Sequence, residues 1–170
     1  METTTELAVE KELTIDASPE TVWEFLVQPE KATRWMGTAA MLDARPGGEY
    51  HVDVIDGHVA RGEFVEVERP RRLVYTFGWE PEEGNPGAVP PGSTTIEIEL
   101  EPSGDGTILR FRHYGFESAE AAGMHRHGWE HYLGRLEVAA AGGDPGEDRG
   151  PAGMLRSSRS RSGSRHVRSC

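Results

Sequence analysis

Two groups of polar side chains in this sequence of 170 residues have types and spacings that could do chemistry. The more obvious group is His127-Gly128-Trp129-Glu130-His131, which has the H-x-x-E-H spacing of inverted zinc peptidases. His127 and His131 are one helical turn apart, as two zinc ligands on a helix must be. Trp129, which belongs to the apolar stripe of a predicted helix, lies about 200° around the axis from His127. We therefore expect both histidines and Glu130 to face solvent, and the sequence predicts no metal site.

The second group consists of polar side chains on predicted apolar faces. His113 lies on such a face of a strand, and His125 lies on such a face of a long helix, while Arg61 and Glu63 alternate with valines along another strand. A few polar groups that converge on an apolar pocket can orient a ligand. Alternatively, the histidines are satisfied residues at a rim, and Arg61 and Glu63 form a solvated strand end. No pair has a spacing that demands acid–base catalysis.

Aromatic residues supply the apolar part of a candidate site. Tyr75, Phe77 and Trp79 occupy alternate positions, so they share one face of a predicted strand. These rings are either plain core or the wall of a ligand cavity, and the two roles overlap where a fold closes around a cavity. The predicted ligand-binding residues are Trp35, Arg61, Tyr75, Phe77, Phe111, His113, His125, Trp129 and Leu133.

A long helix within residues 115–140 is the main element that must position these side chains. At about 100° per residue its stripe is apolar apart from one histidine. The stripe contains Ala122, His125, Trp129, Leu133, Leu136 and Ala140. About 23 helical residues span roughly 35 Å, which is enough to cross a small domain. Glycines at 123, 128 and 134 each cost up to about 1 kcal/mol in a helix interior, which indicates a bent or late-starting helix.

Shorter elements precede this helix. Residues 6–16 alternate between polar and apolar side chains, which predicts a half-buried strand. Ser18-Pro19-Glu20 predicts a helix start, because serine caps, proline suits the first position and glutamate faces the positive end of the dipole. Pro29 ends that helix, and a second short helix is predicted over 30–36, closed by Gly37.

The apolar period changes to two between residues 39 and 114. We predict strands near 39–44, 48–55, 58–68, 71–79, 93–101 and 106–114. Turn residues with short connections separate these strands, which is typical of an antiparallel meander. Residues 80–92 contain four prolines and three glycines, and a loop of this length is usually functional or mobile.

Charge and composition divide the chain. Residues 1–140 contain 12 Lys and Arg and 26 Asp and Glu, a net charge of −14, whereas residues 141–170 carry +3. An acidic body argues against nucleic-acid binding by the domain, since it would repel the phosphate backbone. We predict one domain over 1–140 and a disordered Gly-, Arg- and Ser-rich tail over 141–170. The tail either contacts RNA or acidic partners or is a passive extension.

Other features narrow the class of protein. Cys170 is the only cysteine, which excludes an intramolecular disulfide and a cysteine-based metal site. The first residues lack the basic and apolar regions of a signal peptide, and no apolar run approaches the length of a membrane span. No glycine-rich phosphate loop precedes a helix. We therefore expect a cytoplasmic monomer or dimer that has no cofactor.

The predicted order is strand, two short helices, antiparallel meander and long helix, which is an α+β helix-grip arrangement. Several stretches resemble the SRPBCC, or START-like, superfamily, and within it the branch named for the C-terminal domain of the activator of heat-shock-protein-90 ATPase. These stretches are Gly47-Gly48-Glu49-Tyr50, Asp56-Gly57, Gly62-Glu63-Phe64-Val65-Glu66-Val67, Pro70-Arg71-Arg72-Leu73-Val74-Tyr75-Thr76-Phe77-Gly78-Trp79, Ile15-Asp16-Ala17-Ser18-Pro19-Glu20-Thr21-Val22-Trp23 and Gly128-Trp129-x-x-x-Leu133-x-x-Leu136. The resemblance covers about residues 8–140. Its motifs are turns, caps and helix packing, which specify the fold better than the function.

The resemblance implies a deep, mostly apolar cavity between a concave sheet and the long helix. Superfamily members bind lipids, hormones and polyketides, and some are cyclases or aromatases. The first expectation is therefore binding of a hydrophobic small molecule, which would reach the cavity near the 30–36 helix and the 80–92 loop. One alternative is an interaction module of the co-chaperone type, with a chaperone or other protein as partner. Another is a cyclase- or hydrolase-type enzyme in which His113, His125, Arg61 or Glu63 orients the substrate.

Overall fold

The computed structural model describes residues 7–55, 57–81 and 89–150. Within these ranges the elements follow in the order β1 (Ala8–Ile15), α1 (Pro19–Val27), α2 (Pro29–Ala32), β2 (Ala39–Leu42), β3 (Glu49–Ile55), β4 (His58–Glu68), β5 (Arg72–Trp79), β6 (Thr94–Ser103), β7 (Gly106–Tyr114) and α3 (Ala119–Ala140). The predicted α+β helix-grip arrangement is confirmed. Residues 82–88 of the long loop and residues 151–170 of the tail lie outside the described ranges.

The strands form one antiparallel sheet in the order β1-β7-β6-β5-β4-β3-β2. Strands β2 to β7 run as a meander, so each pairs with its neighbour in sequence. The first strand returns to the free edge of β7, where Val9 lies opposite His113 and Ile15 lies opposite Thr107. Because side chains alternate between the two faces, this register places β1 and β7 apolar residues on the same inner face, against α3.

Helix α1 is determined by local sequence. The Ser18 side chain accepts a hydrogen bond from the Thr21 backbone N–H, and Pro19 occupies the first helical turn. The helix ends at Val27, since Gln28 precedes Pro29 and has extended backbone angles. Its buried face consists of Val22, Trp23, Phe25 and Leu26, as the apolar spacing predicts.

Helix α2 is shorter than the predicted 30–36 helix, because the chain turns after Ala32. Gly37 has a φ of 92°, and a Cβ there would lie 2.7 Å from the Asp53 backbone oxygen. Only glycine suits this close approach. The turn lets the Thr38 N–H donate to that same oxygen at 2.8 Å, and the chain then continues as β2.

Helix α3 begins before Gly123, Gly128 and Gly134 and continues through all three, so these glycines do not delay its start. Ser118 caps it by accepting a hydrogen bond from the Ala121 N–H at 3.0 Å. The predicted apolar stripe is buried except for half-buried His125; the buried residues are Ala122, Trp129, Tyr132, Leu133, Leu136, Ala139 and Ala140. Among the helices of the described ranges, none combines the length and apolarity needed to cross a membrane.

Residues 141–150 fold back along α3, although the composition predicts a disordered tail from residue 141. Gly142, with a φ of 96°, reverses the chain, and the Gly143 N–H donates to the Val138 carbonyl at 2.9 Å. Farther along, Arg135 Nη1 donates to the Pro145 carbonyl at 3.2 Å. We call residues 141–150 the C-terminal strap.

Candidate functional site

An aromatic–histidine cluster lies between β5, β7 and α3. The Phe77 ring is 5.0 Å from the His113 ring and 5.9 Å from the Trp129 ring, measured between centroids. Phe111 contacts Trp129 at 4.6 Å, and the His125 and His113 rings are 5.4 Å apart. The structure therefore brings five of the predicted site residues together in the core.

A directed chain of hydrogen bonds crosses this cluster. The Trp129 indole Nε1–H donates to His113 Nδ1 at 2.9 Å. An indole N–H can only donate, so His113 carries its proton on Nε2, which lies 2.8 Å from the Thr94 hydroxyl. That hydroxyl in turn donates to the Phe77 carbonyl at 2.6 Å. Thr94 was missed at the sequence level, although its alternation with Ile96 and Ile98 on β6 was a usable signal.

A second indole–histidine pair lies nearer the surface. Trp79 Nε1–H donates to His125 Nε2 at 2.9 Å, so the His125 proton sits on Nδ1, where it is 2.8 Å from the Ala121 carbonyl. Phe116, which precedes α3 and was also missed, packs against both histidines, with ring distances of 4.7 Å to His125 and 4.5 Å to His113.

Both histidines are held neutral. Burial lowers the pKa of His113 well below its ordinary value, and the neighbouring His125 lowers it further. Burial also lowers the pKa of His125, although its hydrogen bond to Ala121 opposes the shift. Since every ring nitrogen of the two residues already has a partner, this arrangement offers no free base for acid–base chemistry.

The deep cavity expected between the sheet and the long helix is filled in the described structure. Phe77, Phe111 and Trp129 occupy that space, and Leu133 packs in the same core. A smaller internal gap, of about 10 Å³, lies instead towards α1, α2 and strands β2 to β5. We call it the Trp35 gap, and its walls are Leu26, Ala32, Trp35, Met36, Leu42, Tyr50, Val52, Leu73 and Tyr75.

Aromatic rings dominate the Trp35 gap. Tyr50 and Tyr75 are stacked, with centroids 4.4 Å apart and planes 23° apart, and the Trp35 indole N–H donates to the Phe25 carbonyl at 2.8 Å. Burial raises the pKa of both tyrosine hydroxyls, so each stays protonated. Tyr50 was not among the predicted site residues, although it alternates with Val52 and Val54 along β3.

Arg61 is not near either group of residues, which corrects the prediction that it shares an inner face with valines. It pairs with Gly78 across the sheet, so it lies on the outer face, opposite Phe77 and Trp79. There Nη2 donates to Glu49 and Nη1 donates to Glu80, both at 2.9 Å. The alternation misleads because a register shift between Phe64 and Glu66 moves Val67 to the other face.

The prediction that the H-x-x-E-H side chains face solvent holds for His127 and Glu130, whereas His131 is half-buried. His127 and Glu130 are exposed, and Glu130 accepts a hydrogen bond from Lys11 at 2.8 Å. His131 Nε2 is 3.2 Å from an oxygen of Asp148 in the C-terminal strap. Within the described ranges, no three His, Cys, Asp or Glu side chains are grouped so that they could hold a metal ion.

Comparison with known proteins identifies the family. Residues 16–141 match the family described as activator of Hsp90 ATPase homolog 1-like protein, AHSA1. No curated protein matches the chain. The solution structure of an AHSA1-like protein from Rhizobium etli is 46% identical and has a TM-score of 0.66, with 84% of this chain and 86% of that chain covered.

Two further solved structures are similar. CalU16 from Micromonospora echinospora is 25% identical with a TM-score of 0.62, and the match covers 92% of this chain and 84% of that chain. An HSP90 activator from Plasmodium falciparum is 20% identical with a TM-score of 0.63, over 78% of this chain and 95% of that chain, which supports the fold alone. Because the family match spans most of the chain and the Rhizobium etli protein is close in sequence, this protein belongs to the AHSA1-like family of the SRPBCC, or START-like, fold.

Proposed function

We propose that the domain binds a small, mostly apolar molecule in the Trp35 gap. The observation that supports this most directly is the lining, in which the two stacked tyrosines and Trp35 are surrounded by aliphatic side chains. Small-molecule sites are mostly apolar with a few polar groups that fix orientation. The rest of the core between the sheet and α3 is filled by its own side chains.

A ligand must displace one wall of the gap. A volume of about 10 Å³ is at the lower limit for a single water molecule. The wall with least support consists of α2 and β2, which have four residues each. Among the strands of the described residues, β2 is at the edge of the sheet and pairs only with β3, and such short edge elements open at low free-energy cost. The gap is therefore a closed form of the site, and outward movement of α2 and β2 would open it.

The lining also indicates the kind of ligand. A flat ring system suits the faces of Tyr50, Tyr75 and Trp35, because aromatic rings favour offset stacking. The two tyrosine hydroxyls are neutral and hydrogen-bond to each other. The pair keeps one O–H to donate, which suits a carbonyl, phenol or ether oxygen better than a cation. We expect a flat, uncharged or weakly polar molecule with at least one acceptor oxygen.

A blocking substitution tests this proposal. Ala32 is buried in the wall, and Ala32→Leu would fill the gap without removing a polar contact. Ala39 on β2 is exposed, so Ala39→Leu is a matched control for the added side chain. With the flat, uncharged dye Nile red, which has a carbonyl acceptor, as the probe, Ala32→Leu should weaken binding at least about tenfold, while Ala39→Leu should match the wild type. Equal binding by both variants, or no binding by the wild type, would refute the proposal.

A second candidate is a protein-interaction role, supported by membership of a family described by Hsp90 ATPase activation. The surface available for it is the outer sheet face, where Arg72 lies 2.7 Å from Glu99 and Arg110 lies 2.7 Å from Glu101. Charged faces of this kind select partners by complementary charge. In a pull-down with the chaperone, reversal of Arg110 and Arg112 to glutamate should abolish capture, whereas Trp129→Ala should not.

A further inference from the structure

We infer that the C-terminal strap, residues 141–150, is a latch that keeps the Trp35 gap closed, and that Arg135 is the residue that fastens it. The inference rests on the proposed function in that the gap is taken as the binding site. The contacts of the latch itself do not depend on whether any ligand binds.

Arg135 joins three parts of the molecule. It stands on α3, and its Nε donates to the Trp35 carbonyl at 2.9 Å, while Nη2 reaches the Arg34 carbonyl at 3.5 Å. Its Nη1 donates to the Pro145 carbonyl of the strap at 3.2 Å. A guanidinium has its N–H donors in a fixed planar arrangement. If the contact with the strap is lost, the group is free to rotate away from the backbone carbonyls of Arg34 and Trp35.

The strap has its own anchor on α3. Asp148 lies 3.2 Å from His131 Nε2, and its side chain is only 12% exposed. It also accepts a hydrogen bond from the Gly150 N–H at 2.9 Å, which holds the end of the strap in a turn. Burial and the nearby Asp148 carboxylate raise the pKa of the Tyr132 hydroxyl, which keeps that hydroxyl neutral beneath the strap.

The turn that Arg135 contacts, residues 33–36, forms part of the wall of the gap. The backbone N–H groups of Trp35 and Met36 donate to the Ala32 carbonyl at 3.2 and 3.0 Å, and both side chains line the gap. The turn therefore links the last residue of α2 to the gap, and outward movement of α2 must break the contacts of Arg135. In this way the strap controls access from a position outside the gap.

Hydrogen exchange tests the latch directly. Asp148→Ala removes the anchor, and Glu147→Ala is a matched control, since Glu147 is an exposed carboxylate in the same strap. Loss of a charge-assisted hydrogen bond should speed exchange of the Trp35 and Met36 amides about fivefold to tenfold, with β6 amides unchanged. Arg135→Lys keeps the positive charge but loses the planar guanidinium, so it should speed exchange of the same two amides. Glu147→Ala should leave their exchange unchanged.

The outcomes separate the latch from the proposed function. Faster exchange at residues 35 and 36 in Asp148→Ala and Arg135→Lys, together with faster association of Nile red, supports both. Faster exchange without any probe binding supports the latch and refutes the proposed function. Unchanged exchange at these two amides, or exchange that rises equally in β6 and in Glu147→Ala, overturns the latch.

Discussion

The indole Nε1–H of Trp129 on α3 donates a hydrogen bond of 2.9 Å to His113 Nδ1 on β7. Because of this contact, α3 is held against the sheet by a buried hydrogen bond as well as by apolar packing. It also determines which nitrogen of His113 carries the proton. That proton position sets the donor-to-acceptor direction of the hydrogen bonds from His113 to Thr94 and from Thr94 to the Phe77 carbonyl. Two buried polar groups of the core, His113 and Thr94, are both satisfied by it.

Removing the donor of this chain should destabilise the domain. Trp129→Phe keeps a ring in the core but leaves His113 Nδ1 buried without a donor, which costs about 1–3 kcal/mol. Trp79→Phe removes the equivalent donor to His125, but both residues there are half-buried and water can replace the indole. Urea unfolding should therefore show a larger loss of unfolding free energy for Trp129→Phe than for Trp79→Phe. An equal or smaller loss would contradict the assigned series of hydrogen bonds from Trp129 to the Phe77 carbonyl.

The neutral histidines predict a loss of stability in acid. Because the pKa of His113 is lower in the folded state than its unfolded value of about 6.5, the unfolded chain binds a proton that the folded chain excludes. Stability is therefore complete above that value and falls below it, by about 1.4 kcal/mol per pH unit while His113 stays neutral. His125 acts in the same direction.

Unfolding free energies measured in urea at pH 7.5, 6.5 and 5.5 test this, since most carboxylates remain ionised over that range. His113→Gln should be less stable at pH 7.5 but should depend less steeply on pH than the wild type. If the two proteins have the same pH dependence, His113 does not titrate as the geometry requires.

Substitution of alanine for glycine should raise the stability of the domain at one position and lower it at another. Gly134 lies in the interior of α3, is exposed, and leaves open space within 4 Å of the point that an added Cβ would occupy, so Gly134→Ala should stabilise by about 0.5–1 kcal/mol. At Gly62 a Cβ would lie 1.8 Å from the Thr76 carbonyl oxygen, and Gly62→Ala should cost at least about 1–3 kcal/mol. Thermal denaturation of the two variants measures both effects, and the same sign of change in Tm for both would contradict them.

Local chemistry accounts for what the sequence predicts correctly. Ser18, Pro19 and Pro29 define α1 through capping and backbone restrictions that act over a few residues. Side-chain alternation likewise places Phe111 and His113 on the inner face of β7, where they are buried. These features need no knowledge of distant parts of the chain.

Long-range packing accounts for what the sequence does not predict. The bulge that puts Val67 on the face opposite to Arg61 is a relation between β4 and β5, and no residue type marks it. Whether a cavity lies beneath α3 depends on how Phe77 and Trp129, far apart in sequence, fill the same space. The contact between Arg135 and Pro145 of the strap likewise depends on packing, which the composition of residues 141–150 does not specify.

A nuclear magnetic resonance titration tests the proposed binding site most directly. The four indole N–H signals, from Trp23, Trp35, Trp79 and Trp129, report on separate parts of the core. On addition of Nile red, the Trp35 signal should shift in a saturable way, while Trp129 should stay near its starting position. A saturable shift of Trp129 with Trp35 unchanged, or no saturable shift at all, would contradict binding in the Trp35 gap.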